Sequence, residues 1–158
     1  MTTRAGKAGG NHFDPDVFWL TPPKLMRELE QEFHFDFDPC PFPRPEGFNG
    51  LTTEWGQRTY CNPPYLPRGT IEKWVKKARI EQSKGKRIVM LLPAYTDRQW
   101  FHDLFDDLHT EVRFLKGRAK FTTTDGRLQR TSARFAWMIA ILNPNSSSKP
   151  DSLKDGEG

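Results

Sequence analysis

The sequence predicts an α/β protein whose single sheet is mostly parallel and flanked by helices. Three observations carry that expectation. Short apolar or β-branched runs alternate with amphipathic ones in the order strand, helix, strand, helix, strand, which is the pattern of a parallel sheet covered by helices. The run Ile88-Val89-Met90-Leu91-Leu92 is apolar without interruption, as a strand buried on both faces must be. A length of 158 residues, 35% hydrophobic and 13% aromatic, suits one packed core.

Each element follows from local chemistry. Residues 1–12, rich in Gly, Thr and Lys, read as a flexible N-terminus without the apolar run of a signal peptide. Thr21 can cap a helix with Pro22 at its first position, and Leu25, Met26, Leu29 and Phe33 recur on one face, so a helix is expected to run to about Phe33. Phe35 to Asp38 reads as a short strand. Residues 41–57 are rich in Pro, Gly and Thr and read as irregular, with Trp55 as a buried anchor or a pocket wall. Thr59 to Cys61 is the second strand. Thr70 can cap a helix over Ile71 to Ser83, with Ile71, Trp74, Val75, Ala78 and Ile80 inward and Gly85 ending it. A third helix, capped by Thr96 or Asp97, carries the stripe Trp100, Phe101, Leu104, Phe105 and Leu108. Glu111 to Leu115 and Ala133 to Leu142 read as strands separated by the polar loop Thr122 to Thr131. The folded domain is expected over 13–142 and a disordered tail over 143–158, where Ser, Lys, Asp and Gly dominate.

Composition bounds what such a protein can do. The longest apolar run, Phe135 to Leu142, is far too short to cross a bilayer. A soluble, cytoplasmic protein is expected. Cys40 and Cys61 make no disulfide framework, and with His12, His34, His102 and His109 they show no metal-ligand spacing, so no metal is expected. The net charge of +4 is unevenly distributed: residues 1–60 hold six Lys/Arg against nine Asp/Glu, and residues 61–142 hold sixteen against eight. The difference is −3 against +8. From Arg113 to Arg134 the bases Arg113, Lys116, Arg118, Lys120, Arg127, Arg130 and Arg134 face Asp125 alone. Phosphate neutralisation leaves such a footprint, so nucleic acid is the expected partner, against a merely solvated face.

The most informative residues are Asn62-Pro63-Pro64-Tyr65, set between a strand and a helix. Asn-Pro-Pro occurs in ordinary loops. An enzyme acting on a base, however, must take it out of the stack, hold it on an aromatic face and read its edge. Here the Asn62 oxygen can accept one exocyclic amino hydrogen. The Pro63 carbonyl, turned outward because Pro64 keeps its predecessor extended, can accept the other. Tyr65 can stack on the ring. With both hydrogens engaged, the amino nitrogen becomes a better nucleophile towards an electrophilic methyl group.

This tetrapeptide resembles the catalytic motif of S-adenosylmethionine-dependent amino-methyltransferases that act on DNA adenine. Thr21-Pro22-Pro23-Lys24-Leu25 is similar to the family segment that opens a helix beside the methionine end of the cofactor, and Phe37-Asp38-Pro39-Cys40 to the acidic-Pro start of the cofactor loop. Together with Gly117-Arg118-Ala119-Lys120-Phe121 and the motif order, residues 17–142 most resemble the compact phage-type DNA N6-adenine methyltransferases. The resemblance implies a compact Rossmann-like methyltransferase sheet and S-adenosylmethionine as cofactor. It implies catalytic roles for Asn62, Pro63, Pro64 and Tyr65, cofactor contacts from Thr21, Pro22, Asp38, Pro39 and Cys40, and DNA contacts from Arg118, with Lys120, Arg127 and Arg130 added by the basic stretch. It also implies phage or prophage origin in a bacterial host and protection of DNA from restriction.

The chain departs from the family where larger relatives place a Gly-x-Gly loop. It reads Pro39-Cys40-Pro41-Phe42-Pro43, with the nearest glycines at Gly47 and Gly50. Two other functions therefore stay open at this level: N4-cytosine methylation, which uses the same amino chemistry, and a degenerate DNA-binding module that has lost its cofactor. For Asp38 and Thr21 a capping role competes with a cofactor contact. Trp19 and Trp55 could wall the cofactor's adenine or belong to the core.

Overall fold

The computed structural model describes residues 19–65, 67–117, 122–123 and 136–145, without the side chains of Trp19, Thr122 and Thr123. Along the chain come β1 (Trp19–Leu20), α1 (Pro23–Phe33), β2 (Arg58–Cys61), α2 (Thr70–Ser83), β3 (Arg87–Pro93), α3 (Gln99–Phe105), β4 (Thr110–Phe114), β5 (Thr122–Thr123) and β6 (Trp137–Leu142).

The main sheet has the order β2-β3-β6-β4. Strands β2 and β3 are parallel, with Arg58 opposite Arg87 and Cys61 opposite Met90. The expected strand from Phe35 to Asp38 is reduced to one parallel bridge, Phe37 to Thr59, on the outer side of β2. Two backbone bonds hold it: Asp36 N–H to Arg58 O at 2.9 Å and Tyr60 N–H to Phe37 O at 3.0 Å. Strand β6 runs antiparallel to both of its neighbours, β3 and β4. The sheet is therefore mixed rather than mostly parallel. The reason is that Trp137–Leu142 is buried at every position, and an unbroken apolar run specifies burial on both faces without specifying direction. The strands joined through α2 and α3 do share one direction, as strand–helix–strand connections require.

Alternation along β3 divides the core in two. Ile88, Met90 and Leu92 point to α2 and α3, where Trp74, Val75, Ala78, Trp100 and Leu104 cover them. Val89 and Leu91 point to the other side, where Leu29 and Phe33 of α1 pack with Trp137, Ile139 and Ile141. Burying each such side chain is worth roughly 1.5–3 kcal/mol.

Several expected boundaries move, each for a local reason. Helix α1 is capped by Pro22 and not by Thr21, because the Thr21 hydroxyl is engaged elsewhere. Gly69, at φ 93°, precedes α2, and Thr70 is its first helical residue. Ile80 turns outward and is 48% exposed. Helix α3 is preceded by Arg98 instead of Thr96 or Asp97 and ends at Phe105. Beyond it the Asp107 carboxylate takes Gln82 Nε2 at 3.1 Å and the backbone N–H of His109 at 2.9 Å. That turn breaks the helical period, and Leu108 is left 98% exposed. Asn143, expected to begin a disordered tail, is tied down instead: its carbonyl accepts from Gln82 at 2.8 Å and its side chain from Arg87 at 3.1 Å. Residues 146–158 and 1–18 lie outside the described residues.

Trp55 is a core anchor rather than a pocket wall. It is 2% exposed, its indole N–H donates to Gly50 O at 2.7 Å, and its ring stacks on Trp74. Next to it lies a buried ion cluster. The Glu81 carboxylate, fully buried, accepts from Lys86 at 2.6 Å, Lys77 at 2.6 Å and Lys84 at 3.2 Å, and Lys86 also donates to Trp55 O.

Candidate functional site at the carboxyl edge of the sheet

Strand β2 delivers Asn62 to the carboxyl edge. Thr59, Tyr60 and Cys61 are buried, but Pro63 has no N–H to offer a ladder, so the chain leaves the sheet immediately after Asn62. Pro63 is buried and Asn62, Pro64 and Tyr65 are half-buried. Because side chains alternate along a strand, Tyr60 and Asn62 face the same side. Thr21, arriving between β1 and α1, meets both. The Asn62 Nδ2 group donates to Thr21 Oγ1 at 3.3 Å, and Thr21 Oγ1 shares a short hydrogen bond with the Tyr60 hydroxyl. Tyr60 is 3% exposed, and burial pushes its phenol far above the ordinary range, so it stays neutral.

The Phe37 bridge brings Asp38, Pro39 and Cys40 to the same edge. Cys40 Sγ lies 4.0 Å from Cys61 Sγ, and both thiols are free. Burial and the neighbouring Cys40 push the Cys61 thiol well up. Asp38 is an exposed residue with one carboxylate oxygen accepting the Cys40 N–H at 2.8 Å. Partial desolvation raises its pKa and that hydrogen bond opposes the rise.

Where larger relatives carry a Gly-x-Gly loop, this chain packs a glycine of a later segment against the acidic-Pro turn. A Cβ on Gly50 would sit 2.0 Å from the Pro39 carbonyl oxygen and 2.9 Å from the Trp74 ring. Gly50 thus lets the 41–57 segment close directly on Pro39, and the protein's own backbone packs the acidic-Pro turn.

Tyr65 has a divided role. Its ring meets Trp137 edge-on at 5.5 Å and 70°, and it packs beside both halves of the core. Burial, with Tyr95 nearby, pushes its hydroxyl far up. Pro22 sits at the α1 cap, where its carbonyl accepts the Met26 N–H at 3.0 Å. An open groove of about 510 Å³ runs from Thr21 along α1 past Pro23, Met26, Arg27, Glu30 and Gln31.

Among the expected site residues, then, the structure gathers Thr21, Asp38, Pro39, Cys40, Asn62 and Pro63 at one edge. Arg118, Lys120, Arg127 and Arg130 lie outside the described residues, as does the Trp19 side chain. Tyr60 was missed by sequence reasoning, which placed it only as a strand residue; its spacing of two from Asn62 was the available signal. Strand β1 pairs antiparallel with β5, Leu20 opposite Thr122, so the chain just before Thr21 adjoins the basic segment.

Polar side chains at the carboxyl ends of strands in an α/β sheet form the crevice in which such proteins hold their ligands. The family model for DNA N-6-adenine-methyltransferase (Dam) matches residues 13–153, nearly the whole chain. The chain belongs to this family, and it is an adenine-specific DNA methyltransferase. The family implies DNA as substrate and S-adenosylmethionine as methyl donor. No curated protein and no solved structure matches it. Among the described residues no helix is long and apolar enough to cross a membrane, and no group of three or more His, Cys, Asp or Glu is placed to hold a metal ion.

Proposed function

We propose that Asn62 and the Pro63 carbonyl take the two N6 amino hydrogens of a flipped adenine, and that Tyr65 stacks on its ring. The observation that carries this reading is the Asn62 amide. Its nitrogen is committed to Thr21 at 3.3 Å, which turns its oxygen away from Thr21 as an acceptor. Two acceptors on one amino group draw density onto its nitrogen without removing a proton beforehand. The amino nitrogen would take the methyl group with both hydrogens in place, the donor's sulfur–methyl bond breaking so that the sulfur leaves as a neutral thioether, and would shed one proton to solvent afterwards. No thiolate is needed, and the buried, protonated Cys61 is unsuited to supply one.

The donor set fits S-adenosylmethionine, which when bound supplies an electrophilic methyl group. Asp38 has one carboxylate oxygen on the Cys40 amide, and its second meets no hydrogen-bond donor among the described residues, which suits a ribose hydroxyl or an ammonium group. Thr21, with Pro22 behind it, lies beside Asn62 on the same edge, and Pro39 and Cys40 complete the turn. The sheet is read as a compact, Rossmann-like methyltransferase sheet. The basic segment, through Arg118, Lys120, Arg127 and Arg130, is read as the phosphate-tracking surface; the +8 charge of residues 61–142 and the β1–β5 ladder support this. A cytoplasmic enzyme of phage or prophage origin that protects DNA from restriction is supported by the motif resemblance alone.

The test is Asn62→Ala, assayed by transfer of labelled methyl from S-adenosylmethionine to DNA. Turnover is expected to vanish while S-adenosylmethionine binding by calorimetry and Tm stay near wild type, since a half-buried crevice residue contributes little to the fold. Near wild-type turnover would overturn the assignment.

A further inference from the structure

We infer that Tyr60 is a positioning residue for the reaction, acting through Thr21 to hold the Asn62 amide in the one orientation that reads an amino group. The inference rests on the reading of Asn62 given above. An asparagine amide has nearly the same shape in its two orientations, so packing does little to choose between them. The choice falls to hydrogen bonds. In the structure Asn62 Nδ2 donates to Thr21 Oγ1 at 3.3 Å, and the other side of the Thr21 hydroxyl is taken by the Tyr60 hydroxyl.

Tyr60 can serve as the fixed end of this chain because it cannot move. It lies in β2 between the Phe37 bridge and β3, its backbone N–H is bonded to Phe37 O at 3.0 Å, and its ring is 3% exposed against Phe35 at 5.3 Å. Thr21, by contrast, sits in the short link between β1 and α1, ahead of the Pro22 cap. Its hydroxyl therefore takes its position from Tyr60, and with the Thr21 proton given to the Tyr60 oxygen only a lone pair is left to face Asn62, which must then present its Nδ2 donor. Loss of the Tyr60 hydroxyl leaves Thr21 free to turn and to offer its own proton to Asn62 Oδ1. The amide then rotates, and its nitrogen, a donor, faces the base. A donor there opposes an adenine amino group and welcomes the carbonyl of hypoxanthine.

The experiment compares Tyr60→Phe, Thr21→Ser, Thr21→Val and Asn62→Ala in the full chain. Three readouts are taken: kcat and KM for both substrates, Tm, and binding of a methylatable duplex against the same duplex with hypoxanthine at the target adenine. Tyr60→Phe is expected to lower kcat about tenfold, the loss attributable to one orienting hydrogen bond, with both KM values within about twofold. Preference for adenine over hypoxanthine should fall by a similar factor. Thr21→Ser, which keeps the hydroxyl, should retain kcat and preference, whereas Thr21→Val should lose both, and Tyr60→Phe combined with Thr21→Val should be no worse than Thr21→Val alone. A purely structural Tyr60 would lower Tm and leave the base preference unchanged, which would overturn the inference. So would equal kcat and preference in Thr21→Ser and Thr21→Val, a comparison that stands even if Tyr60→Phe folds poorly. Wild-type behaviour of Tyr60→Phe beside an inactive Asn62→Ala would refute the relay alone. An active Asn62→Ala would refute the reading beneath it.

Discussion

Glu81→Gln tests whether the protein's stability depends on one buried carboxylate. Glu81 lies at the end of α2 with no exposed surface and binds Lys77, Lys84 and Lys86 at 2.6, 3.2 and 2.6 Å. Burial alone would raise its pKa, yet the three ammonium groups outweigh burial and hold it at about 2 against an ordinary 4.5. Holding the carboxyl at about 2 instead of 4.5 corresponds to about 3 kcal/mol. Removing one partner of a buried pair typically costs about 3–5 kcal/mol, because the remaining charge stays desolvated. Here Lys86, 5% exposed at its side chain, would keep Glu54, which is 74% exposed, as its anionic partner, with the Trp55 carbonyl and the new amide oxygen as neutral acceptors. At about 2–4 °C per kcal/mol for a chain of this size, Tm should fall by about 6–20 °C.

The sign with pH is fixed by the direction of the shift. A carboxylate depressed in the folded state stabilises it fully above its unfolded pKa, and that contribution disappears as pH falls from about 5 to about 2. Urea titrations of wild type and Glu81→Gln should therefore differ most at neutral pH and converge on acidification. Replacing Glu81 and Lys86 together by Leu and Met should cost less than Glu81→Gln alone. A Glu81→Gln variant within about 1 kcal/mol of wild type, or a gap that does not change with pH, would mean that the Glu81 charge does not hold the fold together.

Three further outcomes are expected. Gly50→Ala forces its Cβ against the Pro39 carbonyl and should raise KM for S-adenosylmethionine more than KM for DNA, measured by steady-state kinetics. Tyr65→Phe should be mild, since stacking needs only the ring, while Tyr65→Ala should abolish turnover and also lower stability by about 2 kcal/mol, because that ring also packs edge-on against Trp137. Neutralising Arg127 and Arg130 together should flatten the dependence of log DNA affinity on log salt by about two units; an unchanged slope would mark them as solvated surface charges.

The reaction class was legible in the sequence because the motif that suggests it is a rare residue combination whose local geometry is self-contained. Asn62-Pro63-Pro64-Tyr65 dictates its own exit from a strand: proline lacks the ladder donor and stiffens its neighbour whatever surrounds it. The buried strand β3 and the inward faces of α1 and α2 were equally legible, since periodicity reports which side meets the core. Direction and distance were not. Whether β6 runs with or against β3 depends on how the chain returns after β4, which no residue of Trp137–Leu142 encodes. The C-terminal end of α3 and the exposure of Leu108 were set by Asp107 reaching back to Gln82, a contact between residues 25 apart. Only the folded chain could bring Thr21 to Asn62 across 41 residues and to Tyr60 across 39, or close Gly50 directly on the Pro39 carbonyl. Local covalent geometry determines which groups a segment offers; the packing of distant segments decides which of them meet.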